Sequence, residues 1–252
     1  MTRTIDLNAD MGESFGPWVM GQDAEILKVV TSANVACGFH AGDADTMAAT
    51  MGEALRRGVG IGAHPGFADL QGFGRRRISL SSQELGNLVT YQLGAAMAVA
   101  ARAGGTVRHL KLHGALANMA AEDEAMARAC YEAALAVKPD LVLMTIAQTA
   151  QQRAAEALGA QIACEIFADR GYEEDATLVD RKKPGAMIHD PDEAAARVLR
   201  MVEAQAIIAT SGKQIPTRID SICLHGDGPE ALAIARAVRA RLEGAGWALA
   251  PL

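Results

Sequence analysis

One pattern recurs along this chain and restricts its fold more than anything else in it. An apolar run is followed by a His, Asp or Lys beside glycine, and then by a helix. The stretch Val35-Ala36-Cys37-Gly38-Phe39-His40-Ala41-Gly42-Asp43 shows it most fully. It begins as a buried strand and ends as a glycine-rich turn that presents a histidine and, three residues later, a carboxylate. Strands that alternate with helices form parallel sheets. Polar residues at the carboxyl ends of successive strands are how a β/α barrel assembles an active site.

Periodicity and punctuation predict strands over 4–10, 32–40, 59–64, 107–113, 141–146, 161–167 and 219–224, with a last short one at 247–249. Helices are expected over 23–31, 43–57, from Ser81 to Arg102, and over 122–137, 149–158 and 228–242. Another should start near Pro191 with Asp190 as its N-cap. Ser81-Ser82-Gln83-Glu84 reads as a capping box. The segments 67–77, 169–188 and 211–218 are read as loops. The fold class expected is therefore α/β, a seven- or eight-stranded parallel β/α barrel forming one domain over 1–252. An open doubly wound sheet is the runner-up, but Gly12 and Gly16 do not make the G-x-G-x-x-G turn of a dinucleotide site.

Half of the 252 residues are hydrophobic, enough for a sizeable core. A net charge of -6 argues against a nucleic-acid surface. The N-terminus lacks a signal-peptide pattern, and no apolar run approaches the roughly 20 residues of a membrane span. A soluble, cytoplasmic protein is expected. Cys37, Cys130, Cys164 and Cys223 form no C-x-x-C pair, so neither a zinc knuckle nor a disulfide framework is expected. Cys37 and Cys223 read as small buried hydrophobes.

The residues at or just after strands are Asn8, Asp10 and Glu13; His40 and Asp43; His64; His109, Lys111 and His113; Glu165, Asp169 and Arg170; and His225 and Asp227. Five of the six histidines fall among them. His109, Lys111 and His113 are two apart and share one face of a strand. If that face is internal, Lys111 needs a carboxylate, Asp10 or Glu165, or it loses its proton. Two chemistries suit such a set. One is general acid–base catalysis at an acyl or amide centre. The other is a divalent metal that activates water, with Asp10, His40 and His64 as candidate ligands. The phosphate-binding motif G-x-x-x-x-G-K-[ST] is absent. Arg75-Arg76-Arg77 and Arg181-Lys182-Lys183 are candidates for phosphate or carboxylate contacts, or simply solvated loop faces.

Six motifs in order resemble the LamB/YcsF family. They are Asp6-Leu7-Asn8-Ala9-Asp10-Met11-Gly12-Glu13, Ala36 to Asp43, Gly62-Ala63-His64-Pro65, Phe73-Gly74-Arg75, Phe167-Ala168-Asp169-Arg170-Gly171-Tyr172 and Cys223-Leu224-His225-Gly226-Asp227. The resemblance implies a barrel similar to those of polysaccharide deacetylases and some glycosidases. It also implies one component of a 5-oxoprolinase, working with partner subunits B and C. The reaction implied opens the lactam of 5-oxo-L-proline to L-glutamate, with ATP and Mg²⁺. On this reading Asp10, His40, Lys111, His113, Asp169 and Arg170 are catalytic. Asn8, Glu13, Asp43, His64, Arg75, Asn118, Arg181, His225 and Asp227 contact substrate.

The chain departs from the family pattern at three places. Leu112 stands in a Lys-Pro-His-Gly motif, Ala117 precedes Asn118 where the family has Tyr, and Asp180 replaces Pro before Arg181. A related lactam or another cyclic amide therefore stays open as substrate. Two other readings are a metal-dependent amidase or deacetylase without ATP, and a non-catalytic binding component of a hydrolase complex.

Overall fold

The first strand shows how the chain builds the molecule. In β1 (Thr4–Met11) Ile5, Leu7, Ala9 and Met11 join the hydrophobic core, while the alternate residues Asp6, Asn8 and Asp10 make polar contacts across the barrel. The apolar layer thus lies between sheet and helices, and the barrel interior is polar. A computed structural model describes residues 3–180, 182–225 and 230–252.

The strands β2 (Ser32–Ala36), β3 (Gly60–His64), β4 (Val107–Lys111), β5 (Val142–Ile146) and β6 (Gln161–Phe167) follow β1 in spatial order, all parallel. Next to β6 comes β9 (Ser221–Leu224), which pairs back onto β1 with Asp6 opposite Ser221, and so closes a seven-stranded barrel. A two-residue strand, β10 (Ala248–Leu249), extends the sheet at Thr4 and Ile5. The predicted parallel barrel is what forms, with seven strands closing it and an eighth appended.

The helices are α1 (Asp23–Ile26), α2 (Ala44–Arg56), α3 (Ser82–Arg102), α4 (Gly114–Glu122), α5 (Glu124–Val137), α6 (Ala150–Ala157), α7 (Pro191–Ala204) and α8 (Ala231–Gly244). The expected caps are present. Ser81 and Glu84 close a capping box on α3, and the Asp190 side chain accepts from Glu193 N beside Pro191.

Four expectations change, the first being the fourth strand, which stops at Lys111 rather than at residue 113, so that His113 stands at the start of α4 and not on the strand face with His109 and Lys111. The second strand stops at Ala36 rather than at residue 40, because Gly38 and Gly42 turn the chain with φ +89° and +75°. A Cβ on Gly42 would stand 2.6 Å from the Gly12 carbonyl oxygen, so only glycine lets the loops after β1 and β2 touch. The helix expected over 122–137 forms as α5, capped by Asp123, which accepts from Ala125 N and Met126 N, and an unexpected helix, α4, precedes it. The segment read as a loop over 211–218 contributes β8 (Gln214–Pro216), paired antiparallel with β7 (Ala206–Ile208) outside the barrel. Among the described residues no helix is long and apolar enough to cross a membrane. All four cysteines are buried thiols.

Candidate active site at the carboxyl end of the barrel

The inward residues of β1 and its neighbours form a polar ladder. At the lowest level the Asp6 carboxylate accepts from the hydroxyls of Thr31 (2.6 Å), Ser32 (2.7 Å) and Ser221. Burial pushes the Asp6 carboxyl up, and those three donors oppose it only in part. One level higher, Asn8 donates to Ser221 Oγ (2.8 Å) and accepts from Asn34 Nδ2 (2.7 Å). Asn34 Oδ1 in turn accepts from His109 Nε2 at 2.7 Å. The ring of His109 fills the space where β3 has Gly62; a Cβ there would lie 2.0 Å from Nε2. Burial holds His109 neutral, pushed down to about 3.

Lys111 stands at the top of this ladder. Its ammonium lies 2.8 Å from Glu165 Oε1, 3.0 Å from Asp10 Oδ1, 3.3 Å from Asn8 Oδ1 and 3.1 Å from Cys223 Sγ. Burial alone would favour the neutral amine; the two carboxylates outweigh it and hold Lys111 charged, well above its usual range. Asp10 shows the converse. Burial pushes its carboxyl up, but His64 and Lys111 together hold it well below the usual range. Sequence reasoning offers Asp10 or Glu165 as partner for Lys111, and the structure uses both.

A cavity of about 290 Å³ opens above this pair, and Asp10, Glu13, His64, Lys111, His113 and His225 are among its walls. On one side three imidazoles cluster. His64 Nδ1 meets the Lys111 carbonyl oxygen at 2.8 Å, and His113 Nε2 meets the Phe73 carbonyl oxygen at 2.8 Å. The ring of His40 stacks on that of His113 with centroids 3.6 Å apart. Burial holds His40 neutral, well below its usual range, and pushes His113 down to about 3. Ligand atoms of Glu13, His40, His64 and His113 all lie within 4.8 Å of one another, close enough to hold a metal ion. Of the expected ligands Asp10, His40 and His64, Asp10 lies beside this group, its Oδ2 3.3 Å from His64 Nε2.

On the opposite side His225 donates from Nδ1 to Asp169, 2.8 Å from Oδ1 and 2.6 Å from Oδ2. Burial would raise the Asp169 carboxyl, but the His225 hydrogen bond and charge bring it below the usual range. Phe167 stacks on the His225 ring. Arg170 also lines the cavity; its guanidinium donates to the carbonyls of Ala186 (3.3 Å) and Val179 (2.8 Å), which fixes the loop after β6.

The structure does not bring every expected residue to the cavity. Asp43 caps α2 through Thr46 N and accepts from Gly16 N at 2.7 Å, so it ties two loops together. Asn8 lies beneath Lys111 in the ladder. Of the three successive arginines only Arg75 faces the cavity, its guanidinium over the Phe73 ring. Arg76 pairs with Asp69, and Arg77 with Glu122 at 2.6 Å. Asn118 lines the cavity, as do two of the departures from the family pattern, Leu112 and Ala117. Asp180 is exposed and accepts from Lys182 N. Arg181 and Asp227 lie outside the described residues.

Sequence reasoning misses the inward role of Asn34 and Ser221 and the contact of Cys223 with Lys111. A signal is present in β1, where three polar residues alternate with apolar ones.

Architecture and cluster together define a class: a closed β/α barrel with carboxylates, a lysine and imidazoles gathered at the carboxyl ends of its strands. The chain belongs to the LamB/YcsF family, whose profile it matches over residues 5–252. It is 63% identical over 246 residues to the 5-oxoprolinase A component from Ruegeria pomeroyi, covering 98% of this chain and 97% of that one. The corresponding 5-oxoprolinase A component from Gluconobacter oxydans is 51% identical over 250 residues, 99% of this chain and 98% of the relative. The crystal structure of a lactam utilization protein from Thermus thermophilus superposes with a TM-score of 0.94 at 42% identity, covering 99% of this chain and 100% of that one. The catalytic domain of a peptidoglycan N-acetylglucosamine deacetylase from Eubacterium rectale shares the fold, with a TM-score of 0.53 at 12% identity over 100% of this chain and 89% of that one.

Proposed function

We propose that this chain is the A component of an ATP-dependent 5-oxoprolinase, a single-domain hydrolase that opens the lactam of 5-oxo-L-proline to L-glutamate. Its full-length relatives bear that name, and a lactam utilization protein shares its structure over the whole chain. One observation in the site carries the reading. An ionised carboxylate, Asp10, and a charged lysine, Lys111, stand 3.0 Å apart at the floor of a small-molecule cavity.

A five-membered lactam is an unactivated amide. Phosphorylation of its oxygen with ATP and Mg²⁺ makes a better leaving group and a more electrophilic carbon. Asp10 then directs water at that carbon, and Lys111 opposes the developing oxyanion charge. His225, oriented by Asp169, donates a proton to the ring nitrogen as the C–N bond breaks, and the acyl phosphate so formed loses phosphate to a second water to give L-glutamate. Arg75 and Asn118 hold the substrate carboxylate and amide. His40, His64 and His113 position Asp10. Subunits B and C are the expected partners, and ATP is handled in the assembled enzyme; a cytoplasmic location fits that supply.

The test is glutamate release from 5-oxoproline by the co-purified complex, with and without ATP and Mg²⁺. ATP-dependent glutamate that falls at least about 100-fold in Asp10→Asn supports the assignment. Unchanged turnover in Asp10→Asn and Lys111→Met places catalysis in the partners. A second reading, hydrolysis of an acylated or cyclic amide without ATP, is favoured by the imidazole cluster; turnover that needs no ATP and stops on chelation would establish it.

A further inference from the structure

The hydrogen bonds of His64 and His113 to backbone carbonyls place a proton on one nitrogen of each ring and turn the other nitrogens toward one another. A carbonyl oxygen only accepts. His64 therefore carries its proton on Nδ1, toward the Lys111 carbonyl, and His113 carries its proton on Nε2, toward the Phe73 carbonyl. In neutral rings the remaining nitrogens, His64 Nε2 and His113 Nδ1, would both be lone pairs, and His64 Nε2 lies in addition 3.3 Å from Asp10 Oδ2. The two nitrogens face each other at 3.0 Å. Two lone pairs at that distance repel unless something positive lies between or beside them.

His40 adds a second observation. It is 1% exposed, and among the described residues neither ring nitrogen has a hydrogen-bond partner. A buried imidazole with both nitrogens unsatisfied is costly and calls for an explanation. Its Nδ1 packs on Gly66, where a Cβ would come within 2.6 Å. Its Nε2 faces Glu13 Oε1 at 4.0 Å, and His113 Nδ1 faces the same oxygen at 4.0 Å. Gly74 presses on the other parts of these rings, 2.7 Å from His40 Cβ and 2.9 Å from His113 Cδ2 to a built Cβ. The rings of His40 and His113 are thus held face to face, 3.6 Å between centroids, with one nitrogen of each 4.0 Å from Glu13 Oε1.

We propose that Glu13, His40, His64 and His113 form a binding site for one first-row transition-metal dication of the Zn²⁺ class. Backbone carbonyls that take the outward N–H of a ligating histidine are the usual means of fixing its tautomer and aiming its other nitrogen. Three imidazole nitrogens and one carboxylate oxygen suit Zn²⁺, Co²⁺ or Ni²⁺ and are a poor set for Mg²⁺ or Ca²⁺, which prefer oxygen. With metal–nitrogen bonds of about 2.0–2.1 Å, tetrahedral ligand atoms lie roughly 3.3 Å apart. The four ligand atoms now lie within 4.8 Å of one another and would draw together to reach that spacing when the ion binds. A proton shared between His64 and His113 would relieve only that pair and would leave His40 unsatisfied. The inference is independent of the lactam reading, since it concerns metal binding alone.

The experiment is titration of the chelator-stripped full chain with Zn²⁺, Co²⁺ and Mg²⁺ by calorimetry, with visible absorption followed for Co²⁺. Expected are one Zn²⁺ or Co²⁺ per chain, a cobalt d–d band and a raised unfolding midpoint, with Mg²⁺ failing to compete. His40→Ala should abolish the cobalt band, and Asp169→Asn should keep it. If His40→Ala does not fold, Glu13→Gln serves, weakening Co²⁺ binding at least about tenfold. Absence of saturable Zn²⁺ and Co²⁺ binding overturns the proposal. So does one-to-one binding that survives in both folded His113→Gln and folded Glu13→Gln.

Discussion

The two walls of the cavity handle buried polar groups in opposite ways. On the β6 and β9 side Asp169, His225 and Arg170 are matched donor to acceptor: imidazole N–H to carboxylate, guanidinium to carbonyl. On the β2 to β4 side three imidazoles cluster, with a nitrogen of His64 facing one of His113, and His40 has no hydrogen-bond partner among the described residues. Between them Lys111 is held by two carboxylates. A matched wall needs nothing added to be stable. A wall of converging acceptors is unfavourable alone and becomes favourable when a positive species enters. The contrast separates groups arranged to orient a proton from groups arranged to receive a ligand.

The largest effect is expected between the two walls. Lys111→Met leaves the buried Glu165 carboxylate without its cation and Asp10 with only His64 and Asn34 as partners. It should cost about 3–5 kcal/mol in denaturant unfolding and lower complex turnover by at least about 100-fold. Retained stability would mean that the carboxylates are already neutral.

The next largest effect is expected at Gly62. Ala there collides with the His109 ring and should destabilise by about 1–3 kcal/mol. The double variant Gly62→Ala/His109→Ala should recover much of that loss in the same unfolding assay. No recovery would show that backbone, not the ring, sets the constraint.

Asp169→Asn sharpens the matched wall. It should lower turnover by about 100-fold and lower the thermal unfolding midpoint near neutral pH, where the ionised carboxylate contributes in full. The sign of its pH effect follows from the depressed carboxyl. Ionised Asp169 stabilises the native state above the unfolded carboxyl range, and that contribution disappears as pH falls through its lower folded value. The variant should therefore show a flatter acid limb in stability against pH.

The smallest effect is expected at Arg77→Ala, whose exposed pair with Glu122 faces away from the cavity. Neither unfolding midpoint nor KM should move, whereas Arg75→Ala should raise KM. Equal effects at the two positions would undo the separation between the cavity arginine and its neighbours.

Much of the scaffold is legible in the chain. The capping box at Ser81 and the cap at Asp190 are readable because each is a contact between residues three apart. Helix α4 is not, since it has nine residues and no side-chain cap at its start. The β7–β8 hairpin escapes notice because two three-residue strands carry too little periodicity to register. Asp43 reads as a site residue from its place after a strand; the helix it precedes takes its side chain as a cap.

What the sequence determined by itself was local: which residues alternate on a strand, where helices start, and that histidines and carboxylates gather at strand ends. That much follows from repeat periods and from contacts a few residues long. The tertiary structure decided which of them meet. Asn8 finds Ser221 across 213 positions, Lys111 finds Asp10 and Cys223, and His113 finds His64 across 49. Those meetings depend on strand register and on closure of β9 against β1. Register is a property of the packed sheet as a whole and is not fixed by any one strand within it.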